Sequence, residues 1–262
     1  MSRARLAALR WTAAMCSLWL VGCGAPELSD QDLASQMEQD FGGPSGLMDF
    51  FQTHSEDEIR AALEPYGARY ITPAPVNGSP LLITDCPQYF PSTDRNAWHL
   101  VSGEYYYVDG SGRPSRAYAD LPPIAADVRN DTCQASVGQW GDAENPSNDY
   151  DGGHMIGNQL GGYGKRANLV PQDANFNRGN WATLENKMAK CAVLPNGRMH
   201  YAIGTGYPNS SALIPNTMTM TITNNSTGAS VAMSFTNTDY GGTNGTNEKN
   251  KGVSWLTGQG CN

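Results

Sequence analysis

The chain has 262 residues and a formal net charge of −8, with 29 glycines, 16 prolines and 16% charged residues. This length fits one large domain or one domain with a small appendage, and the glycine and proline content favours a loop-rich α+β fold over a helical bundle. The acidic balance argues against a protein that coats nucleic acid over its whole surface. The charge is uneven, however, because residues 24–83 hold ten acids and two bases, whereas residues 151–198 hold three acids and six bases.

Residues 1–22 have the pattern of an export signal. Three arginines precede an apolar run that is too short to span a bilayer comfortably. The sequence LVGC that ends at Cys23 resembles a bacterial lipobox, in which the signal is cut before a cysteine that then carries lipid. An ordinary signal peptide with an incidental cysteine is the alternative. We therefore expect an exported lipoprotein, held on a membrane through Cys23, at the outer membrane or the cell surface of a bacterium.

Four cysteines remain in the mature chain: Cys86, Cys133, Cys191 and Cys261. In an oxidising compartment they predict two disulfides, with three connectivities open. There is no CxxC spacing and no Cys–His cluster, which argues against a zinc site.

Residues 23–80 are predicted to form a lipid-anchored, acidic helical segment and a linker. The stretches 29–40 and 55–63 each begin with a serine that is followed three residues later by an acid, the pattern of a capping box. We expect a solvated spacer, and masking of a basic site is the alternative. Proline and glycine mark residues 72–80 as the linker, and the globular domain is predicted over residues 81–262.

Apolar and aromatic patterns place the elements of this domain. Predicted strands cover residues 104–108, 116–121, 127–137, 199–203, 217–223 and 229–236. A helix is predicted over residues 179–192, where Trp181, Leu184 and Met188 recur at spacings of three and four. The last two strands alternate across a turn and predict a hairpin.

His154 is the first candidate for chemistry. A neutral imidazole can take a proton from water near neutral pH, and the glycines at 152 and 153 allow a close backbone approach. Asp151 is placed to hold this loop or to orient the imidazole. Taken alone, a histidine after a turn is more often structural than catalytic.

Amide and carboxylate side chains follow His154 in the chain. Asn168 and Gln172 lie in the sequence NLVPQ, and Asn177 and Glu185 are eight residues apart on the predicted helix. Amide oxygens are hard, neutral ligands that suit Mg²⁺, and a regular helix would separate Asn177 and Glu185 by roughly 80°. The alternatives are an N-cap at Asn177 and a solvated helix face at Glu185.

The combined pattern DGGH, NLVPQ and NxGxWxxLE resembles the signature of the DNA/RNA non-specific endonucleases, in its DGGH branch. Order, spacing and residue types all match. The resemblance implies an α+β fold with a ββα-metal nuclease core, a central antiparallel sheet and a metal-site helix.

The resemblance also implies the roles of individual residues. His154 matches the general base that activates water, and Asn177 matches the ligand of a single divalent metal, usually Mg²⁺. Glu185 matches the acid that holds the water shell of that metal. Asn168 and Gln172 match polar residues that shape the site.

Two positions differ from many relatives. Gly152 stands where the sequence DRGH has an arginine, and Ala189 stands where some relatives have an arginine after the glutamate. The basic residues expected to contact nucleic acid are Lys165, Arg166, Arg178 and Lys187.

The implied reaction is metal-assisted hydrolysis of phosphodiester bonds in DNA or RNA with little sequence preference, and no protein partner is expected. A catalytically inactive surface lipoprotein of the same fold, which binds nucleic acid or a protein, is the alternative. A hydrolase of another class has no supporting motif, because no GxSxG sequence occurs.

Overall fold

The computed structural model of the chain describes residues 30–72, 86–121, 129–192 and 198–261. The predicted signal, Cys23 and the boundary between linker and domain lie outside these residues. No helix of the described part is long and apolar enough to cross a membrane.

Strands and helices alternate irregularly along the chain, as expected for an α+β fold. The strands are β1 (Arg69–Ile71), β2 (Ala97–Val101), β3 (Glu104–Val108), β4 (Pro114–Leu121), β5 (Tyr150–His154), β6 (Leu169–Asp173), β7 (Met199–Gly206), β8 (Thr217–Asn224) and β9 (Ser230–Thr236). The helices are α1 (Asp30–Asp40), α2 (Pro44–Thr53), α3 (Glu56–Leu63), α4 (Asp131–Glu144), α5 (Ala174–Phe176), α6 (Ala182–Ala192) and α7 (Gly245–Gly258).

Seven strands form a central sheet in the order β1-β2-β3-β4-β7-β8-β9, and β5 and β6 form a separate two-stranded ribbon. β1 runs parallel to β2, and the other pairs of the central sheet are antiparallel. The predicted central antiparallel sheet is therefore confirmed. The predicted hairpin is confirmed as β8 and β9, which pair antiparallel. Buried and more exposed side chains alternate along both strands.

The two faces of the central sheet carry different layers. On β3, Tyr106 and Val108 face a large core that includes β6, α6 and α7. The alternate residues Tyr105 and Tyr107 face a second core made with α1, α2 and α3. Successive side chains of a strand point to opposite faces, so the amino-terminal helices and the β5–β6 ribbon lie on opposite sides of the sheet.

The amino-terminal segment is more than the solvated spacer that we expected. Leu47, Met48 and Phe51 of α2 are buried against the sheet, and β1 adds a strand to its edge. The capping box of α3 is present as predicted, because Ser55 and Glu58 bond reciprocally. This segment covers one face of the sheet and shares a core with it.

The strand predicted over residues 127–137 is wrong, because Asp131–Glu144 forms helix α4. The side chain of Asn130 accepts a hydrogen bond from the backbone N–H of Cys133 at 2.9 Å and so caps the helix. Two glycines let α4 pack closely on β5, since a Cβ at Gly138 would lie 2.7 Å from the carbonyl oxygen of Tyr150. The stretch that we predicted as a strand therefore belongs largely to a helix, and this helix packs on β5 through glycines.

Two disulfides are present, Cys86–Cys133 and Cys191–Cys261. The first ties the opening turn of α4 to the segment before β2. The second joins the end of α6 to the residues that follow α7, as expected for a bridge that pins the site helix.

Candidate active site

A ββα unit carries most of the predicted site residues. β5 and β6 pair so that His154 lies opposite Leu169 and Asp151 lies opposite Gln172. The chain then enters α5, where the carboxylate of Asp173 accepts a hydrogen bond from the N–H of Phe176 at 2.9 Å. Asp173 is therefore the N-cap, and the alternative role of Asn177 as an N-cap is wrong.

Asn177 opens a wider turn than predicted. Residues Asn177–Trp181 form a π-helical turn that leads into α6, whereas the expected separation of 80° assumed a regular helix from Asn177 to Glu185. Turns of this kind are rare and recur at functional sites. The predicted helix is confirmed from Ala182 onward.

The two glycines before His154 are required by packing on each side of β5. A Cβ at Gly152 would lie 2.1 Å from the carbonyl oxygen of Gln134 in α4, and one at Gly153 would lie 2.1 Å from the side-chain oxygen of Gln172. Helix α4 therefore occupies the space that an arginine at position 152 would need. The sequence DGGH follows from this close contact between helix and strand.

His154 is buried with a free acceptor. Its side chain is 6% exposed, and its Nε2 has no hydrogen-bond partner among the described residues. Burial lowers the pKa of His154 to about 4, and the positive charge of Arg129 acts in the same direction. The imidazole is therefore neutral at neutral pH and able to accept a proton.

Glu185 is the second buried group of the site. Burial raises the pKa of Glu185 to about 8, against the opposing effects of hydrogen bonds from Trp181 and Gln159. The indole Nε1 of Trp181 lies 3.0 Å from Oε1 of Glu185 and 3.2 Å from the carbonyl oxygen of His154. Trp181 is thus a core residue, as expected, and also links the strand of the base to the helix of the acid.

The carboxylate of Asp151 binds two neighbouring side chains of the π turn. It accepts a hydrogen bond from Nδ2 of Asn177 at 2.8 Å and forms an ion pair with Arg178 at 2.5 Å. With Nδ2 engaged, the side-chain oxygen of Asn177 is left for another partner. Asp151 therefore orients the predicted metal ligand, and its carboxylate is bonded to Asn177 and Arg178.

Asn168 and Gln172 differ in what they contact. Asn168 bonds the backbone N–H and carbonyl of Ile156, each at 2.8 Å, and the carbonyl of Tyr163 at 3.0 Å. It closes the loop between β5 and β6. Gln172 is fully buried on β6, and neither atom of its amide has a partner within the described chain.

The prediction that Arg166 contacts nucleic acid is wrong. Arg166 is completely buried and donates to the carbonyl oxygens of Leu169 and Gln88, so its guanidinium supports the fold and cannot reach a substrate. The side chain of Arg178 is 67% exposed, while Lys165 and Lys187 are half-buried at the surface.

Arg129 is a cation that the sequence analysis missed. It is exposed, precedes the cap of α4, and its charge acts on both His154 and Glu185. No motif marks it, because it reaches the site only through the packing of α4 on β5. Because residues 127–137 were predicted to be a strand, the sequence did not indicate that Arg129 lies near His154.

The described residues contain no group of three or more His, Cys, Asp or Glu side chains arranged to hold a metal ion. The donor set of the ββα unit is instead an amide oxygen at Asn177 and a buried carboxylate at Glu185. Such a set suits a hard cation that keeps most of its waters, as Mg²⁺ does. Burial disfavours the ionised form of Glu185, and a bound cation would favour that form, so these residues fit a divalent cation.

The fold is similar to those of several solved nucleases. NucA from Streptococcus agalactiae with magnesium bound is 20% identical, with a TM-score of 0.40 over 51% of this chain and 71% of that chain. Sda1 nuclease with bound zinc is 18% identical, with a TM-score of 0.38 over 53% and 75%. EndoG in its complex with EndoGI is 16% identical, with a TM-score of 0.38 over 62% and 82%.

The family model described as DNA/RNA non-specific endonuclease matches residues 92–226, just over half of the chain. This range contains the central strands β2 to β4, the ββα unit and the whole DGGH motif. The chain belongs to the DNA/RNA non-specific endonuclease family.

Proposed function

We propose that this protein hydrolyses phosphodiester bonds of DNA or RNA with His154 as the general base and a divalent cation, Mg²⁺, at Asn177. Its family makes it a hydrolytic endonuclease. We propose which residues act, that the cation is Mg²⁺, and that the protein is exported. The observation that carries the proposal is that the indole of Trp181 donates to the backbone carbonyl of His154 and to the side chain of Glu185. This places a buried, neutral imidazole and a buried carboxyl group on adjoining elements.

His154 takes the proton from the water that attacks phosphorus. Its unpartnered Nε2 and lowered pKa keep the lone pair available at neutral pH. The whole side chain, including Nε2, is shielded from solvent, and low local polarity strengthens its interaction with a polar substrate.

Asn177 would hold the cation through its amide oxygen, because Asp151 holds the amide nitrogen. Glu185, oriented by Trp181, would accept hydrogen bonds from the waters around it in its ionised form. Bound Mg²⁺ would supply charge stabilisation to the phosphate and its leaving oxygen.

Exposed cations around the site would bind the phosphate backbone. Arg129 and Arg178 lie beside the ββα unit, and Lys165 and Lys187 add charge at its edge. Contacts of this kind position nucleic acid without reading its sequence, which supports cleavage with little sequence preference and a strong dependence on salt.

We also propose export and a lipid anchor on Cys23. The apolar run and the LVGC sequence support it, and two disulfides suit an oxidising compartment. Intact mass of protein from a lipoprotein-processing host should show diacylglycerol on Cys23. A lipid-free protein that begins at another residue would refute this part.

A nuclease assay of residues 24–262 on plasmid DNA and on RNA, with Mg²⁺ or with EDTA, tests the proposal. We expect release of acid-soluble nucleotides with Mg²⁺ and none with EDTA. A folded protein that cleaves neither polymer with Mg²⁺, and still binds them, would favour the inactive lipoprotein instead.

A further inference from the structure

Tyr240 is the large apolar side chain that stands most open to solvent in the described chain. It is 54% exposed and lies in the short 3₁₀ turn Asp239–Gly241, after β9. This turn falls outside the range matched by the family model. Its ring belongs to none of the hydrophobic cores of the described residues. A single exposed aromatic ring is ordinary by itself, so the contacts that hold Tyr240 decide its meaning.

The backbone of Tyr240 is held in a conformation that a tyrosine rarely adopts. Its φ of 53° and ψ of 19° lie in the left-handed region, which is an outlier for a bulky residue. Its carbonyl oxygen accepts a hydrogen bond from Nδ2 of Asn180 at 2.5 Å. A Cβ at Gly245 would lie 2.0 Å from that same oxygen, so the start of α7 closes in from the other side.

These contacts fix the direction in which the ring leaves the fold. Strained residues that the surrounding structure holds in place occur most often at functional sites. Here Asn180, in the π turn that carries Asn177, donates to the carbonyl oxygen of Tyr240, and Gly245 of α7 packs against the same oxygen. The ring is therefore presented by rigid elements, although nothing in the core requires it.

The ring lies on the π turn of the proposed metal site. A Cβ at Gly179 would be 3.5 Å and 3.7 Å from two ring carbons of Tyr240, and Gly179 is two residues beyond Asn177. Two residues lead roughly across a helical turn, and a helix is about 10 Å wide. The ring therefore lies on the order of 10 Å from the proposed metal ligand, a span of a few bases at about 3.4 Å each along a stacked strand.

We propose that Tyr240 is a stacking platform for an unpaired base of the substrate, and that it makes the enzyme favour single-stranded over duplex nucleic acid. This inference rests on the proposed nuclease function. Bases inside a duplex already stack on both faces, whereas an unpaired base has a face to offer an exposed aromatic ring. Arg178, one residue before Gly179, is 67% exposed and adds a cation for the neighbouring phosphate.

Kinetics on two matched substrates test the inference. A labelled single strand and the same sequence in a duplex are cleaved by the wild-type mature chain and by Tyr240→Ala. Stacking by one base corresponds to about 1–3 kcal/mol, so we expect KM on the single strand to rise roughly 5- to 150-fold, with little change on the duplex. Tyr240→Phe, which keeps the ring, should retain the preference for the single strand.

Tyr240→Asn separates stacking from a structural role. Asparagine tolerates the left-handed backbone, so this variant should melt at or above the wild-type temperature while it loses affinity for the single strand as Tyr240→Ala does. Tyr66→Ala, on the other side of the sheet, is the control and should leave the substrate preference unchanged. Equal losses on both substrates, or an unchanged KM on the single strand, would overturn the inference.

Failure of the nuclease proposal would look different. A wild-type chain that cleaves nothing with Mg²⁺ would refute the nuclease, and fluorescence anisotropy of a labelled single strand in EDTA would still report stacking. Tighter binding by the wild type than by Tyr240→Ala in that assay supports the platform, and equal binding rejects it.

Discussion

The side chain of Asn177 donates its amide N–H to the carboxylate of Asp151 at 2.8 Å, across the gap between the π turn and β5. The same carboxylate binds Arg178. Asp151 therefore decides which end of the Asn177 amide faces the proposed cation. Asp151 was predicted to hold the loop or to orient the imidazole of His154. Its carboxylate instead contacts Asn177, the proposed metal ligand, and Arg178.

Asp151→Asn should weaken Mg²⁺ binding more than it destabilises the fold. The variant keeps the size of the side chain, but its amide can be turned to donate where Asp151 accepts, so the Asn177 oxygen loses its fixed direction. We expect the Mg²⁺ concentration for half-maximal activity to rise several-fold, measured by titration of the cleavage rate. Arg178→Ala is the control, because it removes the ion pair and leaves the Asn177 contact. An unchanged Mg²⁺ requirement in Asp151→Asn would refute this positioning role.

His154→Ala should fold and bind DNA but lose most activity. Loss of a general base lowers the rate by about 10²–10⁴-fold, and imidazole in the buffer should restore part of it if the emptied pocket admits a replacement base. Cleavage rate and melting temperature are measured together. Near wild-type cleavage by a folded variant would end the mechanism proposed here.

Titration of His154 gives a second measurement on the same residue. Burial lowers the pKa of His154 to about 4, against roughly 6.5 in an unfolded chain. The unfolded state therefore binds the proton first as pH falls, and stability contributed by the neutral imidazole is lost between about pH 6.5 and 4. NMR of the metal-free protein should show the ring titrating far below 6.5, and a midpoint near 6.5 would contradict its burial.

Gly152→Arg should destabilise the protein, although it restores the DRGH sequence of many relatives. The new Cβ would lie 2.1 Å from the backbone carbonyl of Gln134, and a backbone atom cannot swing away as a side chain can. Overpacking of this kind costs about 1–3 kcal/mol or more. Thermal melting is the measurement, with Gln134→Ala as a control that leaves the clash in place. If the variant that combines Gly152→Arg with Gln134→Ala melted like the wild type, helix α4 would be able to move away from β5, and the predicted clash would be refuted.

His200 is expected to hold α2 on the sheet in a pH-dependent way. Its Nδ1 lies 2.5 Å from Asp120 of β4 and its Nε2 lies 2.8 Å from Asp49 of α2. A neutral imidazole has a single N–H, so bonds to two carboxylates require the charged form. Burial opposes the charge, but the bonds to Asp120 and Asp49 outweigh it and raise the pKa of His200.

The sign of the pH effect follows from both partners. The raised pKa of His200 stabilises the fold below the unfolded value near 6.5, and this contribution disappears as pH rises through the folded value. Burial of Asp120 is outweighed by its bonds to His200 and Gln52, which lower the pKa of Asp120, so its contribution disappears only in acid. Melting temperatures of the wild type and His200→Gln should converge at alkaline pH. Parallel profiles would contradict a pH-dependent contact of His200 with Asp120 and Asp49.

The sequence predicted the ββα unit well because its chemistry lies on one continuous stretch. His154, Asn177 and Glu185 are joined by a hairpin ribbon and a helix, and Trp181 has to be buried for that helix to pack. The glycines at 152 and 153 concealed β5, however, since they interrupt any alternation. The ion pair of Asp151 and its contact with Asn177 depend on side-chain direction, which spacing does not fix.

The errors share a physical origin in long-range packing. Helix α4 has small residues in place of an apolar stripe, and its contact with β5 decides both its conformation and the position of Arg129. The acidic surface of residues 30–63 suggested a spacer, whereas Leu47, Met48 and Phe51 bury themselves on the sheet. Arg166 looked like a surface base because its sequence neighbours are polar, yet its carbonyl partners lie in the interior.

The opposite placement of the amino-terminal helices and the ββα unit sets the orientation of an anchored molecule. Six residues separate Cys23 from the first residue of α1, and α1 packs on the sheet face that lies away from His154. A lipid on Cys23 would therefore hold the helical layer against the bilayer. The face that carries the ββα unit would point outward, where polymers arriving from the medium meet it before they meet the membrane.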